Sequence, residues 1–219
     1  MPGGRGLPGC NLRYPEEDSM LRYKSLFLVL IIITLGAQSA FAAARGWDLD
    51  EAHSNFYFRI DHIYSKVQGH FNEYSGKVAF DPQNLAESRF YFEIKTASID
   101  TAVVKRDRHL QSSDFFDSGQ YPLMTFTSTR ITDAGNGRYE VQGIFKVKGV
   151  EYELMLPLVL AGIKDHPAVK DKEVIGFNGQ LTIDRLAYKI GSGKFYELGL
   201  VGKDVEILVT LEALSDKEE

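Results

Sequence analysis

Cysteine is all but missing. The 219 residues contain one, Cys10. Downstream of it there can be no disulfide, no thiolate metal site and no thiol nucleophile. An excess of positive charge is missing too. Lys and Arg number 25 against 30 Asp and Glu, a net of −5, and a nucleic-acid-binding domain would instead be basic. Hydrolase signatures of the G-x-S-x-G or H-E-x-x-H kind do not occur. "GSGK" at 191–194 lacks the upstream glycine and the Ser/Thr of a phosphate loop, because Tyr188 and Phe195 stand at those places.

Only one long apolar run is present, "LFLVLIIITLGA" at 26–37. Arg22 and Lys24 precede it and "AQSAFAAA" follows. A positive start, a short apolar centre and small residues at Ala40-Phe41-Ala42 make a secretory signal peptide over 20–42, with cleavage before Ala43. The run is shorter than the roughly 20 residues that span a bilayer. Residues 1–19 are Gly/Pro-rich and precede a second methionine, so Met20 is the expected start and 1–19 a mis-called or disordered extension. No cysteine follows the run to take a lipid anchor. The expected mature domain is Ala43–Glu219, long enough for one domain with a real core, in the periplasm. Without disulfides, that core must stabilise it alone.

What is abundant is strand pattern. Apolar residues alternate with polar ones over 54–60, 67–82, 88–99, 123–132, 138–148, 150–162, 175–190 and 203–214, with Gly69 and Gly76 as expected bends or bulges in the second segment. About eight such segments joined by short turns, "DAGNG" (133–137) and Lys148-Gly149 among them, predict an all-β protein with antiparallel neighbours. Eight antiparallel strands can close into a barrel with no free edge. A barrel of that size either fills its interior or holds one small ligand. Fourteen Phe and eleven Tyr suit both outcomes.

One connection breaks the pattern. From Asp100 to Tyr121 the chain reads as helical, with Asp100 or Thr101 as a cap and Ser112-Ser113-Asp114 capping a second short turn. Its centre, "RDRHLQSSDFFDSGQYP", sets Arg106, Arg108 and His109 ahead of Phe115 and Phe116.

Several separated motifs resemble the YceI-like family, the polyisoprenoid-binding secreted barrels of bacteria. "WDLDEAHSNFYFRIDHIYSKVQGHFNEYSGKVAFDP", "RDRHLQSSDFFDSGQYPLMTF", "VQGIFKVKGVEYELMLPL", "LTIDRLAYKIG" and "KDVEILVTLEAL" occur in that family's order over about residues 47–214. Glu151 departs from the family's Thr or Ser, and Leu186-Ala187-Tyr188 departs from its more polar turn. The resemblance implies a lipocalin-like antiparallel β-barrel with a short helical lid. It implies a tunnel for a polyprenyl chain, either an isoprenoid quinone or a polyprenyl phosphate, and no catalysis.

Within that picture the candidate ligand-binding residues are His62, Arg106, Arg108, His109, Phe115, Phe116 and Lys148. The arginines offer forked donors to a phosphate or quinone oxygen, and the Phe pair would plug the mouth. The competing reading is a purely structural lid. Arg106 and Arg108, two apart, do not share a helix face, and Asp107 and Asp114 could pair with them. Lys148 could simply solvate its turn. Arg185, beside Asp184, reads as an ion-paired strand residue. His53, His62 and His70 match no compact metal motif, so neither metal nor cofactor is expected. A homodimer and transient membrane contact are the partners to consider besides the lipid. Two other functions remain open: a filled barrel that binds a partner, and an enzyme that sets an inward His62 against Asp61 or Asp107.

Overall fold

Residues 43–217 are described by the structure, a computed structural model. The signal-like segment and the Met20 start lie outside them. Strand β11 (Val201–Asp216) organises the rest. One edge pairs with β10 (Lys172–Asp184) from Asp184 to Lys172. The other edge pairs with two strands in succession, β2 (Asn55–His62) along Val201–Thr210 and β1 (Gly46–Leu49) at Ala213 and Leu214. β3 (Ser65–Phe71) pairs with β2 while β4 (Tyr74–Ala79) pairs with β1. β5 (Arg89–Lys95) then pairs with β4, and β6 (Ile99–Asp100) with β3. β7 (Leu123–Gly135), β8 (Arg138–Val147) and β9 (Val150–Asp165) complete the circuit from β5 to β10. Every neighbouring pair is antiparallel. Counting β1/β2, β3/β4 and β5/β6 as three broken strands, the sheet closes as an eight-stranded barrel.

The breaks are where the alternating pattern alone gives continuous strands. The expected 67–82 strand bends between Phe71 and Tyr74, and 88–99 is interrupted by a 3-10 turn at Thr96–Ser98. β1 was not expected at all. The expected 175–190 strand stops at Asp184, and Ile190 N–H returns to Arg185 O to close a turn. The two tight hairpins follow turn chemistry. Asn136-Gly137 and Lys148-Gly149 hold all four residues at positive φ, as a two-residue type I′ turn requires.

Strand alternation sends every second side chain inward, and the two ends of the barrel use this differently. Toward the β1 end the interior is solid. Phe80 meets Tyr139 and Phe177 edge-on, each at 5.0 Å between centroids, and Phe177 meets Phe90 at 5.3 Å. Trp47 closes this end, donating from Nε1 to Phe80 O at 3.2 Å while Arg45 lies over its ring.

The opposite end carries the lid. Helix α1 (Val104–Gln111) starts at Val103 with no side-chain cap, unlike the expected capping by Asp100 or Thr101. The strand-to-helix junction is fixed otherwise. Asp107 Oδ1 accepts from the Thr101 N–H and hydroxyl, at 2.9 and 2.5 Å, and Asp100 Oδ1 accepts from Ala102 N–H. After α1 the chain turns through Ser112–Gln120, burying Phe115 and Phe116. A second lid piece, the helical turn α2 (Lys194–Glu197), supplies Phe195. His109, Phe115 and Phe195 pack as a three-ring latch with centroids 5.1 to 6.0 Å apart. Lys148 Nζ, at the β8–β9 hairpin, donates to Phe115 O at 2.5 Å.

Two outcomes are expected. Phe177 is 2% exposed between two other rings, so Phe177→Ala should cost about 3–5 kcal/mol in urea unfolding, like other large-to-small core changes. Lys148→Met removes one tether of the lid without touching the barrel core. It should accelerate amide exchange in 109–118 while leaving exchange in β7 and β8 unchanged; equal acceleration everywhere would mean that the lid has no separate stability.

Candidate functional site

Beneath the lid the barrel is hollow. The cavity measures about 400 Å³, within the roughly 300–1,000 Å³ typical of small-molecule sites. Its walls are the inward rows of the strands: Phe56, Phe58, Ile60 and His62 from β2, and Val205, Ile207 and Val209 from β11. Phe56, Phe92 and Phe126 form the floor, with Phe92 in ring contact with both others. The floor separates the hollow from the solid end. The barrel is therefore neither wholly filled nor an open tunnel.

Polar side chains gather at the lid end. His62, Arg106, His109 and Arg185 line the cavity there; Thr125 and Tyr57 also line it, and Tyr57, beside Phe56 of the floor, is largely exposed and packs on His70. Among the described residues no Asp or Glu lines it. Exposed apolar side chains, Ile63, Tyr64, Val103, Val104 and Leu198, flank these lining positions in the chain.

Of the seven sequence candidates, five line the cavity: His62, Arg106, His109, Phe115 and Phe116. His62 is the last inward residue of β2. Arg106 is partly committed, since Nε and Nη2 donate to Thr101 Oγ1 and O, both at 2.7 Å. His109 Nε2 meets Asp114 Oδ2 at 3.0 Å. Arg108 is exposed on the outer side of α1, beside Val104 and Gln111, and does not line the cavity. Lys148 is a lid tether and lies behind the wall. Asp107 and Asp114 bind Thr101 and His109 and pair with neither arginine. The other two histidines weighed as metal ligands, His53 and His70, go elsewhere. His70 Nε2 meets Asn72. His53 meets Asp50 at 2.8 Å, a contact that raises the His53 pKa and lowers that of Asp50.

Arg185 corrects the sequence reading. It is not ion-paired with Asp184. The carboxylate of Asp184 takes Lys203 at 2.9 Å, while Arg185, one residue on, points inward at 3% exposure. Its Nε donates to Gly202 O at 2.8 Å and Nη1 to Ile190 O at 2.9 Å. Nη2 is buried and has no partner. Burial pulls the guanidinium below its ordinary pKa, and nearby Asp184 partly offsets this; an arginine stays protonated all the same. Gly191 makes room beside it. At φ +77° a Cβ there would lie 2.5 Å from Arg185 Nη1 and 2.7 Å from Phe115 Cε1, so both the backbone and the packing require glycine.

The signal for Arg185 lies in its register. Leu181, Ile183 and Arg185 fall at period two, and the first two line the cavity.

This arrangement has relatives. A UPF0312 protein of Pectobacterium atrosepticum is 32% identical over 199 residues, 90% of this chain and 100% of that protein. Among solved structures, BcnA of Burkholderia cenocepacia superposes with a TM-score of 0.68 at 28% identity, covering 76% of this chain and 99% of that one. A polyisoprenoid binding domain from Saccharophagus degradans, implicated in plant cell wall breakdown, has the same fold at a TM-score of 0.57 and 15% identity, over 76% of this chain and 97% of its own. The model of the YceI-like domain matches residues 47–213, and the chain belongs to the YceI-like family.

Proposed function

We propose that this protein binds and carries an isoprenoid amphiphile in the periplasm, with the tail in the hollow half of the barrel and the head at its polar, lid-covered end. The observation that carries this reading is the cavity itself, about 400 Å³, walled by aliphatic and aromatic side chains, with its arginines and histidines at the lid end. A polyisoprenoid is the cargo named for the Saccharophagus domain of the same fold. Burial is worth up to roughly 0.8 kcal/mol per CH₂, so each five-carbon unit could contribute about 3–4 kcal/mol before the entropic costs of binding. The tail supplies most of the affinity and the head sets orientation. Carriage rather than catalysis is favoured because His62 has no carboxylate beside it in the cavity. Asp61 faces outward onto Lys66 at 2.8 Å, and Asp107 is held by Thr101.

Export and cargo are tested together. Protein purified natively from the periplasm should begin at Ala43 and release a prenyl lipid on solvent extraction, seen by mass spectrometry. Leu154→Trp, which fills the cavity from β9, should leave folding intact and the extract empty. An empty wild-type protein that also refuses added prenyl lipids would sink the reading. Loading from a bilayer is favoured by the exposed Ile63, Tyr64, Val103, Val104 and Leu198 near the mouth. Flotation with lipid vesicles should recover the wild type and lose a variant carrying Ile63→Ser and Tyr64→Ser; equal recovery would place loading elsewhere.

A further inference from the structure

We infer that the aromatic floor of the cavity is a length gauge. It limits the cargo to short prenyl tails of about three or four five-carbon units, and Phe92 sets the limit. This rests on the lipid-binding reading and narrows it, since that reading places no bound on the tail.

Depth gives the first bound. Phe56 at the floor and His62 at the lid end are six residues apart on β2. At ~3.4 Å per residue they span about 20 Å. That is about 15 Å along the axis of a barrel whose strands tilt by roughly 35–45°. A prenyl chain advances on the order of 5 Å per unit, because each unit adds four carbon–carbon bonds of about 1.5 Å. About three units therefore reach from mouth to floor. Volume gives the second bound. At an interior packing density of ~0.75 a five-carbon unit fills on the order of 100 Å³, and the cavity measures about 400 Å³. About four units fill it.

The floor gives a longer tail no way past. Phe56 and Phe92 meet edge-on at 5.4 Å between centroids, and Phe126 stacks with Phe92 at 6.5 Å. Phe90 meets Phe92 at 6.2 Å and belongs, with Phe80 and Phe177, to the solid end. The floor rings also have fixed seats. A Cβ on Gly76 of β4 would come within 2.8 Å of the Phe92 ring, and one on Gly143 of β8 within 2.5 Å of the Phe126 ring. Glycine there lets each ring lie over the neighbouring strand and fill the place a side chain would take. Phe92 is 1% exposed, so a longer tail has to displace packed core. Its excess cannot stay at the other end either, where His109, Phe115 and Phe195 close over the mouth. Phe92 is the decisive ring because it touches both of the others. Ile94 is the next inward residue of β5 on the way to the lid.

The experiment offers the purified protein an equimolar mixture of all-trans prenyl alcohols with three, four, five and nine units in detergent micelles. The protein is recovered free of micelles and its solvent extract is measured by mass spectrometry. A micelle buries every tail alike, so enrichment reports fit to the cavity rather than hydrophobicity. The wild type should retain the three- and four-unit alcohols at least about tenfold over the nine-unit one. Phe92→Ala opens the floor and should admit the five-unit alcohol as well as the four-unit one. Ile94→Phe fills the space above the floor and should lose the four-unit alcohol about tenfold while keeping the three-unit one. A wild type that retains all lengths alike, or a limit that neither variant moves, would overturn the gauge while leaving lipid binding standing. Retention of no prenyl alcohol would overturn the lipid reading itself. Phe92→Ala removes a core ring and could fail to fold. Ile94→Phe adds atoms beside a hollow and then decides alone, since a limit it leaves in place refutes the gauge.

Discussion

Closure of the sheet on β11 is the constraint from which the rest follows. One long strand pairs along one edge with β10 and along the other with β2 and then β1. With both edges of β11 consumed the barrel closes, leaving the two-residue β6 as the end of the sheet, and alternation forces half of the side chains into a single enclosed space. Nothing else holds the fold together, because a chain whose one cysteine is Cys10 has no disulfide to add. The interior must therefore supply stability and, if it is to hold anything, also leave room. The protein meets both demands by division: Phe80, Phe90, Tyr139 and Phe177 fill one end, and the other is left hollow above Phe56, Phe92 and Phe126.

The broken strands are part of the same solution. A small barrel whose strands all ran straight would have two similar mouths. Here β3/β4 and β5/β6 bend, and the 3-10 turn at Thr96–Ser98 leads through β6 directly into α1. Thr96 is buried and bonds to Tyr121 O and Pro122 O, so both ends of the lid segment are pinned at one place. What lies between them is held more lightly, by a ring latch, the Lys148 tether and the Asp107–Thr101 contacts. The lid combines a fixed base and the buried Phe115 and Phe116 with a helix, α1, that buries no residue fully. Such segments are drawn from the low-stability end of a structure, as a cover over a ligand must be.

Much of this was legible in the sequence, and the failures share a cause. All eight strand windows correspond to one strand of the barrel each, because period-two alternation is a direct record of inside and outside. The boundaries were less legible. In "GHFNEYSG" the glycines read as the bends, yet Gly69 and Gly76 lie within β3 and β4 and the chain bends between them at Asn72-Glu73, because β3 and β4 pair with different partners. β1 was invisible for the same reason, a four-residue strand whose stability lies in β4 and β11. Among site residues, the basic aromatic stretch drew attention to the lid correctly, but composition could not separate Arg106, on the cavity side of α1, from Arg108 on the outer side.

Arg185 is the instructive case. Adjacency suggested a pair with Asp184, yet neighbours on a strand face opposite ways, and a residue ending an apolar inward row cannot reach a carboxylate on the outer face. The same alternation that identified the barrel therefore already denied Arg185 its obvious partner. A guanidinium so placed costs stability, because Nη2 is buried without a protein acceptor. A protein optimised only for stability would put an aliphatic side chain there, as buried ion sites are commonly no better than well-packed apolar ones. Here the charge holds the turn after β10, through Nε to Gly202 O and Nη1 to Ile190 O.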